Sequence, residues 1–225
     1  MDYTRLAETE DYRKQREALR LEEIELIAHR EQVAQMRRDL PEGPVVDDYV
    51  FVEGPADLDA GDEPREVRLS ELFTGPDRAL VVYEFMYGKA QTSPCPMCTM
   101  WIDGFNGVAH HIAQNTDLVI AAAAELPALR AHARNRGWNR LRLLSCAGNT
   151  FKFDLGSESA DGAQDSAVAV FSRDGNGVIR HTYSVRPQRA ADLPERGIDA
   201  LCATWNVLDL TPQGRGDWYS DLAYD

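Results

Sequence analysis

Two neighbouring stretches decide how this chain is read: ALVVYEFM at 79–86 and SPCPMCTMW at 93–101. The first is a nearly unbroken apolar run of the kind found in a strand buried on both faces. The second carries Cys95 and Cys98 with a proline on each side of Cys95, and the segment after it reads as a helix. Gly104 and Gly107 are the places where that helix would bend. A Cys-x-x-Cys opening a helix has a chemical consequence. Free amide groups and the helix dipole favour the thiolate, so Cys95 is expected to have a lowered pKa and to be the attacking sulfur. Cys98, one turn further in, is placed to resolve. Pro96 fits a first helical turn, where a missing N–H is harmless.

Working outward, residues 3–39 lack Gly and Pro and are rich in good helix formers. Tyr12, Leu19, Leu26 and Val33 recur at sevens, giving one apolar stripe but no second register of a long coiled coil. Pro41, Gly43 and Pro44 end that helix, an arm equally suited to its own domain or to a homodimer contact. VVDDYVFVEG (45–54), DLVIAAA (117–123) and LRLLS (141–145) read as strands, and LPALRAHARNRG (126–137) as a helix ending at Gly137. VAVFSR and VIRHTYS flank DGNG (174–177), a hairpin signal that also explains the Gly-Asn-Gly triplet without a nucleotide. Residues 190–206 read as a last helix. This order implies α/β layers on a mixed sheet.

The 225 residues are 44% hydrophobic and 27% charged, enough for one domain with a real core. The 24 Lys and Arg against 37 Asp and Glu leave a net charge of −13, which argues against nucleic acid or an anionic membrane as partner. No segment approaches the roughly 20 apolar residues of a membrane span. The charged N-terminus does not resemble an export signal, so a reducing, cytoplasmic setting is expected. Cys95, Cys98, Cys146 and Cys202 are then thiols, a catalytic pair or ligands rather than a disulfide framework.

Several stretches together resemble one family: LSELF (69–73), LVVYEFMYG (80–88), CPMCTMWIDGFNG (95–107), HTYS (181–184) and LDLTPQGR (208–215). With the N-terminal helix and YVFVEG (49–54), they make the chain similar, over almost its whole length, to the bacterial domain of unknown function 899 family. The resemblance implies a thioredoxin-like α/β fold, a mixed central sheet flanked by helices, at 45–225 behind a helical arm at 1–44. It implies no established reaction. Thioredoxins carry Trp before the first cysteine and Gly-Pro between the two; this chain has Pro94 and then Pro96-Met97. GAQDSAVAVF (162–171), before the hairpin, also lacks the proline that thioredoxins place there. General protein-disulfide reductase activity is therefore not implied. Thr92-x-x-Cys95-Pro96 resembles the peroxiredoxin segment in which the threonine helps hold peroxide, but Gly88 replaces an expected proline and no partner arginine is assignable.

Glu84 stands mid-strand, where thioredoxins bury a proton-relaying Asp. An unpartnered buried carboxylate is costly or stays neutral, so Glu84 is read as proton acceptor for Cys98 or metal ligand, against a plain structural hydrogen bond. His110 and His111 lie roughly 20 Å along a straight helix from Cys95. His181 is the better candidate, because in this fold the hairpin lies beside the cysteine loop. Cys95, Cys98 and His181 would form a soft set suited to Cu(I); no second Cys-x-x-Cys supports zinc.

The expected function is a thiol–disulfide redox protein. Cys95 attacks a disulfide or small electrophile, Cys98 resolves, Glu84 takes the proton, Thr92 orients the substrate, and an external reductant closes the cycle without an organic cofactor. The alternatives are a copper-binding protein, a thiol peroxidase and a redox-silent scaffold.

Overall fold

The computed structural model describes residues 6–60, 63–192 and 195–224. It divides into two compact units, 1–42 and 43–225.

The first unit is the helix α1 (Glu10–Arg38). Thr9 caps it by accepting from the Tyr12 amide, Glu10 and Asp11 occupy the first turn, and Arg37 and Arg38 the last. Each favours the helix dipole. Residues 6–9 precede the helix, so it starts later than the composition of 3–39 predicts, and residues 3–5 lie outside the described residues. None of its side chains is buried.

The second unit holds β1 (Val50–Glu53), β2 (Arg65–Arg68), a 3-10 turn (Leu69–Leu72), β3 (Leu80–Gly88) and α2 (Pro96–Ile112). These are followed by β4 (Asp117–Ala123), α3 (Leu126–Arg136), β5 (Arg142–Ser145), α4 (Phe151–Asp154), β6 (Ala167–Arg173), β7 (Ile179–Val185) and α5 (Ala203–Leu208). The seven strands form one mixed sheet in the order β2-β1-β5-β4-β3-β6-β7. β3, β4 and β5 run parallel, while β6 and β7 close one edge antiparallel and β1 and β2 the other. This is a thioredoxin-like α/β fold.

Because strand side chains alternate between faces, the sheet carries two cores. Tyr83 and Phe85 of β3, Ile120 and Ala122 of β4 pack with Cys98, Trp101 and Ile102 of α2 and Leu129 of α3. Leu80, Val82, Ala121, Leu144 and Phe171 pack on the other face with Phe51 and Phe151.

Three expectations need correction. α2 runs unbroken through Gly104 and Gly107; a Cβ at either would meet nothing, so these glycines impose no bend. Only 50–53 of the expected strand 45–54 is a strand, because Asp48 turns to bind the Ser70 amide and hydroxyl, leaving Val45 a lone bridge to Arg180. The expected helix at 190–206 is reduced to a 3-10 turn (Asp199–Leu201) and the start of α5. Gly197 explains this: its amide binds the Pro187 carbonyl at 2.7 Å, and a Cβ there would lie 2.0 Å from the Arg186 oxygen. That close approach holds the chain extended against the end of β7.

Candidate active site

β3 delivers the cysteine pair. At its end Gly88 adopts φ 107, and a Cβ there would lie 2.1 Å from the Ala123 and Ala124 backbone. Only glycine allows so close a crossing to β4. Gly88 and Gln91 then exchange backbone hydrogen bonds of 2.7 and 2.9 Å, and the Cys95 amide returns to the Met86 carbonyl at 3.2 Å. The loop thus folds back and starts α2 over the carboxyl end of β3.

Cys95 is the N-cap of α2, extended at φ −64 and ψ 124, with Pro96 in the first turn. Its Sγ accepts from the Cys98 amide at 3.4 Å. Both thiols are free. The two differ sharply in setting. Cys95 is half-buried, and its pKa falls to about 7, chiefly through hydrogen bonding from the Cys98 thiol and then from the Cys98 and Met97 amides, against burial and the nearby Glu195 carboxylate. Cys98 is only 1% exposed. Burial, then the neighbouring Cys95, push its pKa well above the usual thiol value. Capping geometry and charge therefore agree on which sulfur is ionised first.

The site is completed by residues from distant parts of the chain. Tyr83 of β3 is fully buried on the same face as Cys98. Thr99 donates its hydroxyl to the Cys95 carbonyl at 2.9 Å, and His132 of α3 stands 3.1 Å from the same hydroxyl. Since the hydroxyl proton is committed to the carbonyl, His132 Nε2 is the donor in this pair. The His132 ring packs against Phe85, Tyr87 and Trp138, and burial lowers its pKa. On the C-terminal side the Tyr219 hydroxyl donates to Glu195 at 2.6 Å, and the Ser220 hydroxyl faces the Met97 sulfur at 3.9 Å. A groove of about 460 Å³ follows α2 past Met100 and Gly104, walled by Cys202, Trp218 and Tyr224.

Trp101 and Trp205 meet edge to face at 5.0 Å, and the Arg215 guanidinium covers Trp205 at 3.7 Å while reaching Asp199 at 3.5 Å. The LDLTPQGR segment thus supplies a cation that closes this core. Asp103 accepts from Trp138 Nε1 at 2.7 Å and pairs with Arg136, a structural anchor rather than a reacting group.

The structure does not bring Glu84 or His181 to the cysteines. Glu84 follows Tyr83 on β3 and points to the opposite face, where it accepts from Ser157 within reach of the Lys152 charge. Burial raises its pKa to about 7. Glu84 Oε1 has no hydrogen-bond partner among the described residues. His181 is turned away by a bulge: β6 and β7 slip register between Val170 and Phe171, which sets His181 opposite Phe171 instead of continuing the alternation from Tyr183. Its ring lies 5.6 Å from Phe171, and Nε2 is 2.6 Å from Ser184 Oγ. The copper set Cys95, Cys98 and His181 is therefore not assembled, and no group of three or more His, Cys, Asp or Glu among the described residues is arranged for a metal. Thr92 is exposed in the loop. His110 and His111 are exposed at the far end of α2, their rings 4.0 Å apart. Cys146 and Cys202 are buried.

Tyr83, His132 and Glu195 were not singled out from the sequence. For Tyr83 a signal existed, since a tyrosine in a doubly buried strand must aim its hydroxyl at something; for the other two there was none.

No helix among the described residues is long and apolar enough to cross a membrane. No curated protein matches the chain. Solved structures similar to it include Mycobacterium bovis AhpC, 18% identical over 80% of this chain and 98% of that one, with a TM-score of 0.48. The reduced 2-Cys peroxiredoxin of Plasmodium vivax is 15% identical over 71% and 95%, TM-score 0.49. Peroxidoxin BcpB from Mycobacterium tuberculosis is 18% identical over 75% and 98%, TM-score 0.47. A family model described as a bacterial protein of unknown function, DUF899, matches residues 1–223, and the chain belongs to that family.

Proposed function

We propose that this protein is a thiol–disulfide redox protein in which Cys95 attacks and Cys98 resolves. The observation that carries the reading is the asymmetry of the pair: one sulfur half-exposed at a helix cap with a pKa near 7, the other sealed with its pKa raised. The Cys95 thiolate attacks one sulfur of a substrate disulfide, forming a mixed disulfide and expelling the other sulfur as thiolate. Cys98, losing its proton, attacks the Cys95 sulfur and expels the second substrate thiolate, which takes up a proton. The protein ends oxidised by two electrons and the substrate reduced by two. An external dithiol returns the pair to the reduced form.

Glu84 has no part in this scheme, since the sheet separates it from the pair. Thr92, exposed in the loop three residues before Cys95, is the group proposed to orient the substrate. A disulfide substrate is favoured over peroxide because Glu195, an anion, is a charged side chain whose field reaches Cys95, where peroxide chemistry would call for a cation to polarise the oxygen.

The test is equilibration of the full chain in dithiol buffers of graded poise, followed by intact mass and peptide mapping. The expected result is a two-hydrogen loss mapped to a Cys95–Cys98 bridge and absent from Cys95→Ser. A chain that stays fully reduced at every poise would refute the reading.

A further inference from the structure

The Tyr83 hydroxyl is an oddity in a core this well packed. The side chain is completely buried. Its ring is held edge-on to Phe105 at 5.5 Å, which fixes where the hydroxyl points. The groups around that hydroxyl are the Cys98 and Cys95 thiols and Ser166, close enough to shift its titration. Even so, it makes no aligned hydrogen bond to any described residue. Buried phenols normally find a partner, and one left without is costly to keep. Phenylalanine would fill the same space without that cost.

Here the unmatched donor faces the sulfur whose ionisation is the hard step. Cys98 is sealed from water, and a thiolate forming there has no solvent to stabilise it. In the reduced pair the neighbouring Cys95 raises the Cys98 pKa further; once Cys95 is held in a mixed disulfide that charge is gone, and burial remains as the obstacle. Among the groups that ease Cys98 ionisation are the Tyr83 hydroxyl and the Met86 backbone, with the Lys152 charge also felt at this sulfur.

We propose that Tyr83 is a catalytic residue of the resolving step, its hydroxyl held in reserve to donate a hydrogen bond to the Cys98 thiolate as that thiolate forms and attacks the Cys95 mixed disulfide. The phenol keeps its own proton throughout; the proton lost by Cys98 leaves with the departing substrate thiolate. Tyr83 occupies the place that the sequence assigned to Glu84, one residue along the strand and on the face where Cys98 lies.

The inference rests on the redox reading, and one experiment separates the two. Reduced wild type, Cys98→Ser and Tyr83→Phe are mixed with bis(2-hydroxyethyl) disulfide, acid-quenched at intervals and weighed intact across a range of pH, with thermal midpoints recorded in parallel. Cys98→Ser is expected to accumulate the Cys95 adduct; if it forms none, the redox reading falls and the role of Tyr83 falls with it. Tyr83→Phe is expected to form the adduct at the wild-type rate and to convert it to the internal disulfide roughly ten- to a hundredfold more slowly, as for loss of a hydrogen bond to a charged group. Its conversion profile should shift to higher pH while its thermal midpoint matches or exceeds wild type. Conversion at the wild-type rate and pH dependence, or equal slowing of both steps with a lowered midpoint, would overturn the proposal.

Discussion

The two faces of the central sheet hold similar chemistry and make different use of it. On the α2 face, Cys95 and Cys98 sit with the Tyr83 phenol; on the other, Cys146 and Ser157 sit with Glu84 and Lys152. Tyr83 and Glu84 are consecutive residues of β3, so the faces diverge at a single peptide bond. What separates Cys95 from Cys146 is the supply of hydrogen-bond donors, the Cys98 thiol first and then the Cys98 and Met97 amides. Cys95 caps a helix, where free amides stabilise negative charge. Cys146 follows the end of β5 in a packed core, and burial raises its pKa to about 12 even with Lys152 nearby. Lys152 in turn is drawn into the backbone, its Nζ donating to the Phe85 carbonyl at 2.9 Å and the Asp165 carbonyl at 3.1 Å. One face holds a half-buried thiol with a lowered pKa, the other a sealed polar cluster that ties α4 to β3.

The largest expected effect contrasts the thiols directly. At pH 7 about half of Cys95 is ionised, against roughly one Cys146 in 10⁵, so alkylation rates should differ by about two to three orders of magnitude after allowing for the better nucleophilicity of the more basic sulfur. Timed iodoacetamide labelling with peptide mapping measures this. Comparable labelling of Cys146 in the folded protein would break the contrast between the faces.

A smaller effect sharpens the contrast from the other side. Burial raises the Glu84 pKa from 4.5 to about 7, so the folded chain holds that proton more tightly than the unfolded one. The stability this group contributes is full below about pH 4.5 and is lost as pH rises through 7, a change on the order of 3 kcal/mol. Glu84→Gln keeps an acceptor for Ser157 and has nothing to ionise. Urea unfolding between pH 5 and 8 should show this variant losing less stability with rising pH than wild type, and being the more stable of the two at pH 8. Identical slopes would mean that Glu84 is not the group responsible.

The smallest effect concerns the cap over the thiol-side core. Arg215→Ala removes the guanidinium 3.7 Å above Trp205 and its pairing with Asp199. A loss of about 1 kcal/mol is expected from a cation over an indole at a partly exposed site. Urea midpoints measure it, and Arg215→Lys should recover part. A loss confined to high-salt buffer would contradict an electrostatic cap, which salt weakens.

Much of this architecture could be read from local pattern. The run at 79–86, the Cys-x-x-Cys opening a helix, the strand at 117–123 and the helix ending at Gly137 all stand where the residues place them. The DGNG hairpin does too, with the Asp174 side chain accepting from the Asn176 and Val178 amides. These features depend on propensity, caps and turn chemistry, which act over a few residues. The lowered pKa of Cys95 belongs with them, since the Cys98 thiol and then the Cys98 and Met97 amides that cause it lie two and three residues away.

What escaped the sequence was decided across long separations. Position 84 was recognisable as a buried carboxylate, but which side of the sheet received α2 and which received α4 was not written in the strand itself. A two-residue period says that Tyr83 and Glu84 part company, never which of them meets the cysteines. The single extra residue in β7 that turns His181 toward Phe171 is invisible without the partner strand's register. Likewise His132, 33 residues from Thr99, reaches the Cys95 carbonyl network only through the packing of α3 on the sheet. Local energies chose the elements and the more acidic sulfur; the burial of two opposed faces, a property of the folded sheet as a whole, chose its neighbours.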